Sequence, residues 1–488
     1  MAETTTDTVS VDPPVDVPQP AVRAVTAITL VTGAVQLAAA IAGRGYWFDE
    51  VYMLAIGRRH LDWGSADQPP LAPALAALSD LIAPNSIVAL RIPAILATMA
   101  AIVVAALIAR EMGCDRRAQA LVAFAQSTGA WVSFAGHWLT PYTLEPLGWL
   151  LLVWLVVRWL RLRDDRLLLA LGAVAGLAAM TKFQVLLLCG VMLLAALAVG
   201  PRALLRRPLL WAGVGVGAAI TAPTLWWQAR HGWPQLKMAE VVASESGPLY
   251  GGRGGIAVQL IVFAGVIGAA LALYGLFRLV RDRTLADYRF LGVTFVVLYV
   301  LFVATAARPY YLCGLFPPLA AVGALSLQRR REAGHYRWRW VAWPACVLSA
   351  ALAAAAIALS ITIGREGTDE QIAQRTAAAY ARLPAGQREH TAIVGESYIV
   401  AAFLDGYSDK YQLPAAFSPT RSYGYFPAPA PDVDTVLFIG EEPVRLRPFF
   451  AHVRNVSGIT DDLSAWLLTG RTEPWDSLWP KIRTLSVG

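Results

Sequence analysis

Charge is scarce in this chain of 488 residues: Asp, Glu, Lys and Arg together make up 15%, and only four lysines and four cysteines occur. Soluble domains carry about 25% charged residues, so a soluble enzyme is excluded. The cysteines (Cys114, Cys189, Cys313, Cys346) are scattered, which excludes a disulfide scaffold and leaves no metal-ligand spacing. No G-x-x-x-x-G-K-[ST] loop is present, and no G-x-G-x-x-G opens a helix after a strand, so no nucleotide pocket is expected. What the chain has instead is apolar surface. Hydrophobic residues reach 57%, the mean hydropathy is +0.50, and one apolar block follows another at lengths that cross a bilayer of about 30 Å.

Eleven apolar spans are expected, near 22–43, 88–109, 118–135, 143–160, 166–181, 183–200, 209–227, 255–279, 289–306, 311–327 and 341–363. Arginine orients them. Arg23 and the clusters Arg110/Arg116/Arg117, Arg158/Arg161/Arg163/Arg166, Arg202/Arg206/Arg207, Arg278/Arg281/Arg283/Arg289 and Arg329/Arg330/Arg331/Arg337/Arg339 fall in alternate loops, 20 of the 41 basic residues. By the positive-inside rule those loops are cytoplasmic. The net charge of +7 therefore reports topology rather than a nucleic-acid partner. The N-terminus is expected inside, preceded by a disordered polar tail over 1–20, and an odd number of crossings puts the C-terminus outside. The transmembrane domain is read as 21–363. From 364 to 488 the composition turns polar, with TAIVG (391–395) and TVLFIG (435–440) as buried strands and ESYIVAAFLDGYS as a helix, a small extracytoplasmic α/β domain.

The outward loops carry residues a passive bundle does not need. The first, RGYWFDEVYMLAIGRRHLDWGSADQPP, places the Asp49-Glu50 pair behind an aromatic belt. A carboxylate there could act as general base toward a hydroxyl or hold a divalent cation; ordinary solvated charges are the plainer alternative. The second holds His137, Thr140, Tyr142 and Glu145, and Glu145 enters an apolar helix, where an ionisable group is a functional candidate. Lys182 lies between two short spans and could meet a lipid phosphate or simply snorkel. Arg308 precedes the Tyr310-Tyr311 pair. The glycines of the fourth outward loop, 228–254, suggest a mobile segment near a site, with a plain flexible loop as the plainer alternative. His60, His137 and His231 are too far apart in sequence to argue a metal site. A site facing outward with no nucleotide pocket favours a lipid-carried substrate delivered within the membrane.

At these residues the sequence resembles a known family. WFDEVYMLAIGRRHLDWGSADQPPLAPALA, LRIPAIL, TLWWQARHGWPQL and RPYYLCGLFPPLAAVGA, in that order, are similar to the polyprenyl-phosphate-sugar-dependent membrane glycosyltransferases, the protein-O-mannosyltransferase and aminoarabinose-transferase relatives. GESYIVAAFLDGYS, RSYGYFPAP and EPWDSLWPKIR extend the likeness through the tail. The resemblance implies a polytopic α-helical membrane protein of the C-type glycosyltransferase fold with a C-terminal extracytoplasmic α/β domain. It further implies inverting transfer from a polyprenyl-phosphate sugar to a hydroxyl acceptor, which could be a glycan, a lipid, a protein or a secreted metabolite.

On the same basis Asp49 is the expected base, with Glu50 beside it as the second catalytic candidate. Lys182 and Arg308, with Arg91 in support, are expected on the donor phosphate. Gln68, His137, Glu145, Tyr310 and Tyr311 are expected in the substrate pocket. Gln68 stands where some relatives carry Lys, and Glu145 where an Asp is usual. No cofactor is called for beyond a divalent cation that Asp49, Glu50 and Glu145 could gather. A transporter, or a protein that binds lipid-linked sugar without chemistry, is the alternative. The near absence of charge from helix centres speaks against transport, since transporters place charges and broken helices near the midplane.

Overall fold

The computed structural model describes residues 17–335 and 339–487. The first 16 residues of the expected tail, and Arg337 of the inner-loop clusters, lie outside the described residues. The helical domain opens with α1 (Val22–Ala42), α2 (Phe48–Arg59), α3 (Leu71–Ile82), α4 (Ile87–Glu111), α5 (Arg116–Ser127), α6 (Ala130–Ala135) and α7 (Pro141–Leu162). It continues with α8 (Arg166–Ala179), α9 (Gln184–Val199), α10 (Pro208–Arg230), α11 (Pro234–Ser244), α12 (Ser246–Tyr250) and α13 (Gly252–Val262). Helices α14 (Val266–Arg281), α15 (Arg289–Ala304), α16 (Phe316–Glu332) and α17 (Arg339–Ile363) complete it.

Each of the eleven expected apolar segments is helical, and two are broken: 118–135 into α5 and α6, and 255–279 into α13 and α14, bent by 94°. Six helical stretches among the described residues are long and apolar enough to cross a membrane, seven with the bent pair counted as one. Helices α3, α8 and α9 are apolar but shorter.

Local chemistry sets the ends of these helices. Ser86 and Asp115 accept the third backbone N–H of α4 and α5, which relieves donors that have no partner in the first turn. Proline opens α7, α10 and α11, where its missing N–H costs nothing. Glycines then allow close helix crossings. A Cβ on Gly172 in α8 would lie 1.9 Å from the Gly213 carbonyl of α10, and one on Gly275 in α14 would lie 2.1 Å from the Leu319 carbonyl of α16. The two broken helices meet at their breaks. Gly265, at φ +72°, lies against the Thr128 carbonyl, and Trp131 of α6 stacks on Phe263.

After α17 come α18 (Thr368–Ala381), α19 (Ala385–Arg388), β1 (Thr391–Gly395), α20 (Tyr398–Gly406), α21 (Ser408–Tyr411), β2 (Ala416–Phe417), β3 (Thr435–Gly440), β4 (Phe450–Gly458), β5 (Ser464–Arg471) and α22 (Trp475–Ile482). The sheet order is β2-β1-β3-β5-β4. Strands β2, β1 and β3 run parallel, and β5 and β4 add an antiparallel hairpin. The two strands read from sequence, β1 and β3, are its central parallel pair and are wholly buried, which is why they appear as unbroken apolar runs.

One apolar core joins the two parts. Val51, Tyr52, Leu54 and Ala55 of α2 pack with Tyr398, Ala401, Leu404 and Tyr407 of the C-terminal domain. All eight residues from Glu50 to Gly57 are buried. Helix α2 is therefore not a surface loop but a layer between the bundle and the domain above it. That explains why EVYMLAIG shows no polar face.

Candidate active site

A cavity of about 530 Å³ opens where α2 meets the helical bundle. Its polar wall holds Asp49, Asp67, Gln68, Tyr142, Lys182 and Arg308, with Tyr310, Tyr311 and Arg421. Leu186 and Leu187 of α9, Leu225 of α10, Leu236 of α11, and Leu301 and Phe302 of α15 form an apolar flank. The cavity thus has a charged end beside a surface suited to hydrocarbon.

Asp49 occupies the first turn of α2, accepts a hydrogen bond from the Tyr142 hydroxyl and feels the Asp67 carboxylate nearby. Removal from water, with Asp67 adding, pushes its carboxyl up to about 6; Arg421, the Tyr142 bond and Lys182 pull the other way without cancelling this. Lys182 lies in the turn between α8 and α9, with Nζ 4.3 Å from the Tyr311 ring centre and 5.3 Å from that of Tyr310. Tyrosine faces attract an ammonium, and among the described residues no carboxylate lies within ion-pairing distance of Lys182. Tyr310 is in turn stacked on Trp131, ring centres 4.6 Å apart, so the broken helices described above help to fix the site.

The structure separates other expected residues from this group. Glu50 and Arg91 are wholly buried and spend themselves on each other. Arg91 donates from Nη2 to Glu50 at 2.5 Å and from Nε at 3.1 Å, and its remaining N–H groups go to the carbonyls of Ala40, Gly43 and Gly45. Glu50 also accepts the Trp47 backbone N–H, capping α2. Neither lines the cavity. The expected second catalytic carboxylate and the expected third phosphate ligand are thus paired with each other, away from the cavity lining. One step along a helix turns Glu50 about 100° away from its neighbour Asp49, which composition alone does not resolve.

His137 is likewise withdrawn. Its Nδ1 pairs with Gln36 at 2.8 Å, and burial together with the Arg91 charge lowers its pKa to about 3. Glu145 sits one turn into α7, buried, with Oε1 unpartnered, close enough to feel the Lys182 charge but outside the cavity lining. Among the described residues no three His, Cys, Asp or Glu side chains are placed to hold a metal ion. The set Asp49, Glu50 and Glu145 is dispersed by the Glu50–Arg91 pair and does not fit a cation.

Three site residues are missing from the sequence reading. Asp67 accepts from Tyr52 at 2.7 Å and from Ser422 at 2.5 Å. Arg421 opens the 3-10 turn Arg421–Tyr425 of the C-terminal domain at φ +51°, a conformation uncommon outside glycine. Glu245, between α11 and α12, pairs with both Arg308 and Arg421. Asp67 falls within a quoted motif but carries no mark of its own, Arg421 reaches the cavity from 113 residues beyond Arg308, and Glu245 joins the site through its ion pairs with the two arginines. The segment read as a flexible loop holds two short helices instead.

Residues 67–227 match the family described as dolichyl-phosphate-mannose-protein mannosyltransferase. No curated protein sequence gives a significant match. The structure is similar to ArnT from Cupriavidus metallidurans in the apo state, at a TM-score of 0.64 and 15% identity over 91% of this chain and 97% of that one. It is similar to the same protein bound to undecaprenyl phosphate at a TM-score of 0.61 and 16% identity, with the same coverage. A third likeness is to the apo oligosaccharyltransferase of Archaeoglobus fulgidus, at a TM-score of 0.51 and 14% identity over 78% of this chain and 63% of that one. Residues 67–227 thus carry a likeness to that mannosyltransferase family, and the chain is a multi-pass membrane protein that shares the overall fold of ArnT.

Proposed function

We propose that the chain moves one sugar from a polyprenyl-phosphate carrier to a hydroxyl acceptor on the extracytoplasmic face of the membrane, with inversion and with Asp49 as general base. The observation that carries this reading is the convergence of Asp49, Lys182, Arg308 and the Tyr310-Tyr311 pair on one cavity with an apolar flank. The bond from the anomeric carbon to the carrier phosphate breaks as the acceptor oxygen attacks from the opposite side. The acceptor proton passes to Asp49, whose carboxyl, held near 6, is mostly ionised at neutral pH yet basic enough to take it. The lipid phosphate leaves with its electron pair, and Lys182 and Arg308 stabilise the charge it gains in a site poor in water. A single displacement needs no enzyme nucleophile, and Asp67, the other carboxylate of the lining, is engaged by Tyr52 and Ser422.

Gln68 lines the cavity and bonds to Asp67 at 3.2 Å. It can orient a sugar hydroxyl but brings no positive charge. By the positive-inside rule the arginine-rich loops support an N-terminus inside and a C-terminal domain outside, with the cavity facing outward. The test is to incubate the purified protein with a panel of polyprenyl-phosphate sugars and acceptors and follow the released lipid phosphate. Asp49→Asn is expected to insert and fold normally and to lose transfer. Transfer at the wild-type rate in that variant would remove Asp49 as the base.

A further inference from the structure

Two guanidinium groups at the cavity wall share one carboxylate. Glu245 accepts from Nη2 of Arg308 at 2.5 Å and from Nη2 of Arg421 at 2.7 Å. Arg308 comes from the helical domain and Arg421 from the C-terminal domain, and they are only 9% and 6% exposed. Each also keeps a buried nitrogen with no hydrogen-bond partner, Nη1 on Arg308 and Nε on Arg421. Nη1 of Arg421 rests on the Met238 sulfur, a weak acceptor. Buried N–H groups normally find partners, so two charged donors left short on the wall of one cavity describe a site built for more acceptor oxygens than a carboxylate offers.

The segment that carries that carboxylate has open space beside its glycines. Glu245 lies at the α11–α12 junction, and the following segment contains Gly251 and Gly252 at φ +72° and +66°. A Cβ at Gly247, Gly252 or Gly254 would meet nothing within 4 Å. The two arginines, by contrast, are anchored: Arg308 precedes the packed Tyr310-Tyr311 pair, and Arg421 adjoins Ser422, which bonds Tyr52 and Asp67.

We infer that Arg308 and Arg421 together form the binding site for the phosphate of the lipid donor, and that Glu245 occupies this site as an internal anion which the phosphate displaces. The inference rests on the proposed transfer from a polyprenyl phosphate and extends it. It supplies, from the C-terminal domain, the positive charge that Gln68 does not provide. The donor's phosphodiester offers two unesterified oxygens and two bridging ones, and the released lipid phosphate three unesterified ones, which satisfies Nη1 of Arg308 and Nε of Arg421 as Glu245 leaves, and charge-assisted bonds of this kind are the strong ones. Because Arg421 belongs to the C-terminal domain, donor binding also clamps that domain onto the helical bundle.

The experiment measures binding of undecaprenyl phosphate, with undecaprenol as the control lacking phosphate, to the full-length protein in nanodiscs. Arg421→Gln is expected to weaken undecaprenyl phosphate roughly tenfold or more and to leave undecaprenol unchanged. Glu245→Gln, which keeps the shape but removes the competing charge, is expected to tighten it about fivefold. The double variant is expected to lose that gain. Arg421→Lys is expected to fold normally and recover part of the affinity, separating charge from any structural loss.

Weaker binding in Glu245→Gln with a lower unfolding midpoint would make the bridge a permanent strut and overturn the inference. Wild-type affinity in both Arg421→Gln and Glu245→Gln would overturn it while the proposed transfer stood. Failure of the wild-type protein to prefer undecaprenyl phosphate over undecaprenol would overturn both.

Discussion

At the scale of single residues, neighbouring carboxylates have opposite fates. Asp49 faces the cavity with its carboxyl pushed up to about 6, whereas Glu50 is sealed against Arg91. A base acts as the carboxylate, so kcat/KM is expected to rise as pH climbs through about 6 and to level off above it. The neighbouring Asp67 charge raises the Asp49 carboxyl. Asp67→Asn should therefore move the acid limb of the pH–rate profile to lower pH, and an unmoved limb would mean that another group sets it. Lys182→Ala should raise KM for the donor more than it lowers kcat for a competent acceptor; unchanged donor affinity would take Lys182 off the phosphate. For the buried pair the expectation is structural. Arg91→Met leaves the Glu50 charge uncompensated, which costs about 3–5 kcal/mol, and should lower the unfolding midpoint in detergent. A stable Arg91→Met protein with weakened donor binding would instead return Arg91 to the phosphate site.

Among the elements, the crossings of α8 with α10 and of α14 with α16 depend on glycines that leave no room for a side chain. In lipid, helices associate through close packing rather than by escaping water, and small residues at the crossing provide it. Gly275→Val would drive a branched side chain into the backbone of α16, because even its Cβ falls 2.1 Å from the Leu319 carbonyl. Loss of monodisperse protein on size exclusion is expected, while Gly190→Ala, on a surface open at that position, should behave as wild type. The breaks at α5/α6 and α13/α14 have a different role. They bring Trp131 to Tyr310 and so set the rings that face Lys182. The first break falls at the short polar stretch QSTG of 126–129 and the second at Gly265, each too brief to divide an apolar span read at the length of a bilayer crossing.

For the whole molecule, the C-terminal domain is part of the cavity's architecture and not an appendage. It buries α2, ties Asp369 to the Tyr46 backbone N–H at 2.7 Å, and brings Arg421 to the cavity wall. Asp405 is central to this seam: it accepts from Tyr423 at 2.7 Å and from the Ala416 N–H at 3.0 Å, and it faces Arg59 of α2 at 3.3 Å. Asp405→Ala strands these buried donors at a cost of about 3 kcal/mol. It should lower the unfolding midpoint and reduce transfer together. Lost transfer with an unchanged midpoint would place Asp405 in the chemistry instead.

Sequence by itself determined the membrane class, the apolar segments that become helices, the two central strands of the small domain and the ordered motifs that carry the family likeness. These depend on composition and short-range pattern, which the bilayer and the pleat impose locally. Asp49, Lys182, Arg308, Tyr310 and Tyr311 were also legible as candidates, because isolated polar groups stand out beside long apolar runs, and Gln68 through the family likeness. Only the tertiary structure decided which of them meet. It turned Glu50 and Arg91 into a buried pair, withdrew His137 to Gln36, and added Asp67, Glu245 and Arg421 from distant parts of the chain. The physical reason is that a charge costs little or much according to what surrounds it, and those surroundings come from segments that only the folded chain brings together.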